Sequence, residues 1–275
     1  MTDEPNRLGD YLRARRDLVA PEEAGLHPIG VRRVPGLRRE EVAMLAGISA
    51  DYYLRLEQGR DRNPSPQVLE ALAHVLRLDD AGTEYLLGLG VVRPRRAPRR
   101  RRPETVAPGI RKFVDVVGLP AFVEGRYFDV LASNALARAL SPRLTPGENR
   151  LRSVFLDPGE QALYPDWELA TAGLVAGFRE SVGTDTDDGR FVELVGELSL
   201  VSDRFRQLWA RHDVQRREGA VIEIEHPQLG ALRLNREKLA IGGSAGQLLV
   251  IYHPDAGSAD AEKLALLASY SALTP

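Results

Sequence analysis

The 275-residue chain contains no cysteine, which excludes disulfide frameworks, thiolate zinc sites and cysteine nucleophiles. Long apolar runs are missing too: the longest, AGLVAGF, falls far short of a membrane span, and MTDEPNRLGDYLRARR at the start has no apolar core segment. A soluble, cytoplasmic protein with no membrane partner is expected. The five histidines, His27, His74, His212, His226 and His253, stand far apart without metal-ligand spacing. IGGSAGQ (241–247) lacks the lysine ending of a phosphate loop and suits a hairpin turn, while DTDDGR (185–190) lacks the glutamate that closes a calcium loop. The expectation is therefore no metal, no cofactor and no catalytic residue. No internal repeat is visible.

What is present suffices for packed cores: 43% of residues are hydrophobic and 28% charged, enough for one large or two ordinary domains. The net charge of -2 hides an asymmetry, since residues 1–103 hold 19 arginines and 15 acids, or +4, leaving -6 for the rest. The positive excess gathers in RRVPGLRR and RPRRAPRRRRP, where the footprint for a polyanion would lie.

Residues 7–90 are expected to form five helices. Leu8, Leu12 and Leu18 mark the first; REEVAMLAG, SADYYLRLEQ, SPQVLEALAHVLRL and DDAGTEYLLGLG mark the others. Ser65 is a capping residue, Pro66 suits a first helical position, and Val68, Leu69, Leu72, Val75 and Leu76 share one face. Between the second and third helices, Gly47 can adopt the left-handed conformation and Ser49 can cap. The result is helix, tight turn, helix. Val42, Leu45, Tyr53 and Leu56 have the spacing to lock the two helices, with Ala43 small enough for close approach. Ala50, Asp51 and Arg55 then face outward where a recognition helix meets base edges: arginine pairs with guanine, aspartate accepts from cytosine, and alanine touches a thymine methyl.

Residues 91–107, rich in arginine and proline, suit a linker. From 108 to 275 the pattern is α+β. PAFVEGRYFDVLASN suggests a hairpin around Gly125-Arg126, helices follow to about His212, and the stretch from Gly219 alternates with period two. There Ile222, Ile224 and His226 face one side and Val221, Glu223 and Glu225 the other. Three antiparallel strands, the last (QLLVIYH) central, and a closing helix are expected.

LRREEVAMLAGISADYYLRLEQGRDRNPSPQVLEALAHVLRLDD resembles the five-helix DNA-binding domain of the xenobiotic-response-element, phage repressor-like regulators. PAFVEGRYFDVLASNALARAL, FLDP, LYPDWE and FRQLWARHDV resemble the ligand-binding domain of the MmyB-like regulators. That resemblance implies a PAS-like second domain, double-stranded DNA as partner, and a fatty-acid-like ligand. It also implies phosphate contacts by Arg38, Arg39, Ser49, Tyr52, Arg60 and Arg62. At the end of a helix, Arg211 and His212 could anchor a carboxylate, while Phe122, Val130, Leu131, Phe155, Leu174, Phe178, Phe205, Trp209, Ile222 and Ile224 line a chamber. A homodimeric regulator with a small-molecule sensor is expected, the rival being a C-terminal domain that serves only dimerisation or protein interaction.

Overall fold

A computed structural model describes residues 6–27, 32, 34–61, 63–91, 104–183, 188–244 and 246–273. The N-terminal part folds into α1 (Arg7–Leu18), α2 (Arg39–Leu45), α3 (Ala50–Glu57), α4 (Pro66–Val75) and α5 (Asp80–Gly90). Apolar residues three and four apart turn one face of each helix inward: Leu8, Tyr11 and Leu12 from α1 meet Val42, Ala43, Tyr53, Leu56, Leu69, Leu72 and Leu86. Caps set the ends. Ser49 Oγ accepts from the Tyr52 amide at 3.1 Å, and Gly47, at φ 67°, makes the turn between α2 and α3. Gly9 allows α1 to press on α3, because a Cβ there would stand 2.2 Å from the Glu57 carbonyl oxygen.

Two expected core positions differ. Leu18 and Leu45 are 41% and 38% exposed. α2 ends at Leu45, and the turn behind it brings Ile48 onto the core, its amide on the Ala43 carbonyl at 3.0 Å. Ile48 thus fills the place that spacing alone gave to Leu45.

The C-terminal part begins with α6 (Pro108–Val116), β1 (Ala121–Glu124), β2 (Val130–Ser133), α7 (Ala135–Leu140), α8 (Arg150–Leu156) and α9 (Pro158–Gln161). It continues with α10 (Trp167–Val182), α11 (Gly189–Val201), α12 (Asp203–Ala210), β3 (Ala220–His226), β4 (Gly230–Ala240), β5 (Leu248–His253) and α13 (Ala259–Leu273). The five strands form one antiparallel sheet in the order β2-β1-β5-β4-β3, with β5 central. Helices cover it, as an α+β domain requires. Val106 already packs beside α6, and Glu104 accepts from the Arg126 amide at 3.2 Å. Residues 92–103, which hold the arginine and proline run expected as a linker, lie outside the described residues.

Three apolar clusters divide this domain. On the inner sheet face, Phe122, Ile224, Leu232, Leu234, Val250 and Tyr252 pack under α7 and α13. On the outer face, α6 covers Ala121, Val123 and Leu249. The third cluster, between α8, α10, α11 and α12, is aromatic, with Phe155, Phe178, Phe191, Phe205 and Trp209 in mutual ring contact.

Candidate nucleic-acid interface and ligand domain

On α3, Ala50 and Asp51 are exposed at the N-terminal end, and Arg55 lies one turn on. Asp51 and Arg55 form an i,i+4 ion pair, and the Arg55 guanidinium sits 5.6 Å from the centre of the Tyr52 ring. The fork is thereby held at the surface between a carboxylate and an aromatic plate. Arg38 and Arg60 are exposed on either side, and Arg62 lies outside the described residues.

Arg39 differs from a free surface arginine. Its Nε donates to Glu57 Oε2 at 2.6 Å while 44% of its side chain stays exposed. It can meet a phosphate with its remaining N–H groups while anchored. Glu57 itself is fully buried and also accepts from Arg16 Nε at 2.7 Å. At the start of α2, Glu41 accepts from the Arg38 amide at 2.7 Å and from Arg32 at 2.7 and 2.8 Å. The Arg32 guanidinium holds the Glu41 carboxyl down to about 2, so this cap stays ionised at neutral pH.

The residues expected to line one chamber do not converge. Phe122, Val130, Ile222 and Ile224 belong to the inner sheet face, whereas Phe155, Leu174, Phe178, Phe205 and Trp209 belong to the aromatic helical cluster. Leu131 lies with the outer-face cluster. Periodicity identifies an apolar face without saying which of several cores receives it. Arg211 is half exposed and pairs with Asp213 at 2.7 Å.

A small, partly open recess, with room for little more than one water molecule, lies instead between Leu140, Leu144 and Leu163 on one side and Ile224 and Tyr252 of the sheet. Ser141, Arg150 and Tyr164 complete its wall. Arg150 is buried; it donates to Glu160 Oε1 at 2.9 Å and to the Tyr164 hydroxyl at 3.0 Å. Of these polar residues only Tyr164 lies in a stretch that the sequence singled out, LYPDWE; nothing local marks Ser141 or Arg150.

His212 sits at a seam between the two domains. Its ring meets Tyr11 of α1 edge-on at 6.1 Å, and Tyr11 in turn meets Tyr85 of α5 at 5.2 Å. The neighbouring Asp213 pairs with Arg15, Val214 packs onto the N-terminal core, and Arg216 reaches Glu84 at 3.5 Å. Behind them Arg179, 4% exposed, places its guanidinium 3.8 Å from the centre of the Trp209 ring and Nη1 3.3 Å from His212 Nδ1. A continuous set of contacts therefore runs from the aromatic cluster to α1.

Burial, then Arg179 and Arg15, push His212 down to about 4 against the pull of Asp213. In an unfolded chain the imidazole titrates near ~6.5. The neutral ring therefore favours the docked state at pH above about 6.5, and that contribution is lost as pH falls toward 4. The thermal midpoint is expected to decline across this window, and less steeply in His212→Gln; equal slopes would show that the seam does not titrate.

These observations define a two-domain DNA-binding regulator. Residues 7–86 match a helix-turn-helix domain, and residues 106–267 match the MmyB-like transcription regulator ligand binding domain. The chain belongs to the MmyB-like transcription regulators, a family of regulators and not of enzymes. Among curated proteins, none matches it. No helix among the described residues is long and apolar enough to cross a membrane.

Proposed function

We propose that this regulator binds a near-palindromic operator as a homodimer and that a small, apolar, fatty-acid-like molecule in the C-terminal domain adjusts its DNA affinity. One observation carries the reading: the ligand-binding domain touches the DNA-binding domain directly, through Arg179, His212 and Tyr11. A ligand changes DNA affinity only by its differential affinity for two arrangements of the chain, so it needs a contact that both domains share. The seam is that contact. The apolar cluster on the inner sheet face, around Ile224 and Tyr252, is the part of the domain that such a molecule would enter.

On the DNA side, Ala50, Asp51 and Arg55 read bases, while Arg38, Arg39, Ser49, Tyr52, Arg60 and Arg62 hold phosphates. A single small helical module makes too few contacts for specific affinity, so two recognition helices meet half-sites roughly 34–36 Å apart, or a multiple of that.

Footprinting and operator titration of the full chain, with and without fatty acids from hexanoate to hexadecanoate, test this reading. Arg55→Ala should cost about 1–3 kcal/mol on the operator and relax one base position, whereas Arg60→Ala should weaken all sequences alike and lower the salt slope by about one. Equal losses for Arg55→Ala on operator and random DNA would put the recognition register wrong. An operator affinity that no acid changes would remove the sensor.

A further inference from the structure

The outer face of the sheet is covered on one side only. Ile110, Val114 and Val117, on and just after α6, pack with Ala121 and Val123 of β1, Ala132 of β2 and Leu249 of β5. Toward the other edge the same face is open. Val221, Glu223 and Glu225 of β3 and Ala231, Arg233, Glu237 and Leu239 of β4 are all exposed, while the alternate positions Ile224, Leu232 and Leu234 are buried on the inner side. Two of the open residues are large and apolar, Val221 at 53% exposure and Leu239 at 51%.

The open half has an acid at its centre. Glu237 lies opposite Ile251 of β5, with Leu239 the next outward residue on its own strand. On the β3 side its neighbour is Gly219, where a Cβ would stand 2.6 Å from Glu237 Oε2, and Val221 is the next outward residue beyond. The carboxylate is thus ringed by Leu239, Ile251 and Val221. Its one ion-pair neighbour among the described residues is His253, at 3.7 Å. Glu223 and Arg233 are register partners and offset each other, whereas Glu225 faces Ala231. Three glutamates against one arginine leave this half negative.

The exposed side of α6 has the opposite character. Lys112 and Val116 are four residues apart and Phe113 and Val116 three, so the three form one strip along a flank of the helix. Phe113 is 49% and Val116 78% exposed, and Lys112 is exposed beside them. Arg111 and Asp115, also four apart, lie on the other flank and offset each other. One half of the face therefore carries an acid among apolar side chains, and the other a cation among apolar side chains.

We infer that this face joins two copies of the chain about a two-fold axis, with the Lys112, Phe113 and Val116 strip of each α6 lying on Glu237, Leu239, Val221 and Ile251 of the other copy. The inference gives the homodimer proposed above its interface and rests on that reading for the presence of a second copy. Its support is the complementarity of the two halves: a two-fold makes the same contact twice, each half meeting its opposite. A partner of one charge sign satisfies only one half. The apolar residues around each Lys112–Glu237 pair keep water from it, as near-neutral contacts do around the centre of an interface.

Sedimentation velocity on the full chain tests the interface in wild type, Lys112→Glu, Glu237→Lys and an equimolar mixture of the two variants. Either reversal alone brings like charges together twice per dimer and should weaken self-association by roughly tenfold or more. The mixture should recover wild-type association, since each copy then supplies the charge the other lacks, and a misfolded variant could not recover. Val116→Asp should also dissociate the dimer. Leu200→Asp, at an 84% exposed position of α11, outside this face, should leave it intact. A dimer untouched by both reversals would overturn this interface and leave the homodimer in place. Weakening by each reversal without recovery in the mixture would overturn the pairing of Lys112 with Glu237. A wild-type chain that sediments as a monomer at every concentration, leaving the open strands to a different partner, would overturn both the interface and the homodimer.

Discussion

Glu57→Ala should unfold the helix-turn-helix domain at temperatures where the wild-type chain is fully folded. Glu57 is the shared carboxylate of three helices: it leaves α3, meets Arg16 of α1 at 2.7 Å and Arg39 of α2 at 2.6 Å, and is itself fully buried. Arg16, 8% exposed, also donates to the Leu37 carbonyl at 2.8 Å. Removing the carboxylate leaves that guanidinium inside the domain with only the half-exposed Asp17, at 2.9 Å, as a counter-charge. Breaking a buried pair from one side costs about 3–5 kcal/mol, a large share of the ~5–15 kcal/mol that holds a domain together. Circular dichroism melts should show the loss, and operator binding should fail with it.

Acid should act at the same place. Burial raises the Glu57 carboxyl, but Arg39 and Arg16 outweigh it and hold the group below its usual range. The ion pairs therefore contribute fully above the unfolded carboxylate value of ~4.3 and are lost as pH falls below it. A Glu57→Ala protein that melted like wild type would show that α1, α2 and α3 hold together by apolar packing alone.

Arg179→Met should abolish the response of DNA affinity to ligand while leaving the affinity of the unliganded protein within about twofold. The recognition face on α3 contains no part of the seam, so direct DNA contacts survive the change. What is lost is the group joining Trp209 to His212 and, through it, to Tyr11. Arg179 is nearly completely buried, and burial lowers its pKa; methionine fills similar volume without a charge to bury. Small-angle scattering should then report a larger radius of gyration, as docking weakens. A retained ligand response with unchanged dimensions would show that the signal takes another route, such as a dimer interface.

Much of the N-terminal domain was legible because its signals are local. Ser49 and Ser65 cap as their positions suggested, and Gly47 turns left-handed between the two motif helices. The alternation in β3 likewise placed Ile222 and Ile224 with the inner cluster. Other features depend on packing between segments remote in sequence. Nothing local marks Glu57 as a buried carboxylate, since its two arginines lie 41 and 18 residues away. The aromatic residues were expected to line one chamber, whereas Phe178, Phe205 and Trp209 pack in a helical core of their own, apart from Phe122. In LRLNREK one signal was present and unused: the alternation that turns Leu232 and Leu234 inward also turns Arg236 and Lys238 inward.

The location of Trp209 gives the protein an optical property. The chain has two tryptophans, and both belong to the C-terminal domain, Trp167 with its indole N–H on the Val154 carbonyl at 3.0 Å and Trp209 beneath Arg179. The DNA-binding domain, with none, is silent under excitation at the red edge of indole absorption. Emission from Trp209 is sensitive to the guanidinium lying over its ring, so a change on adding operator would have crossed the seam from a domain that contributes no tryptophan light of its own.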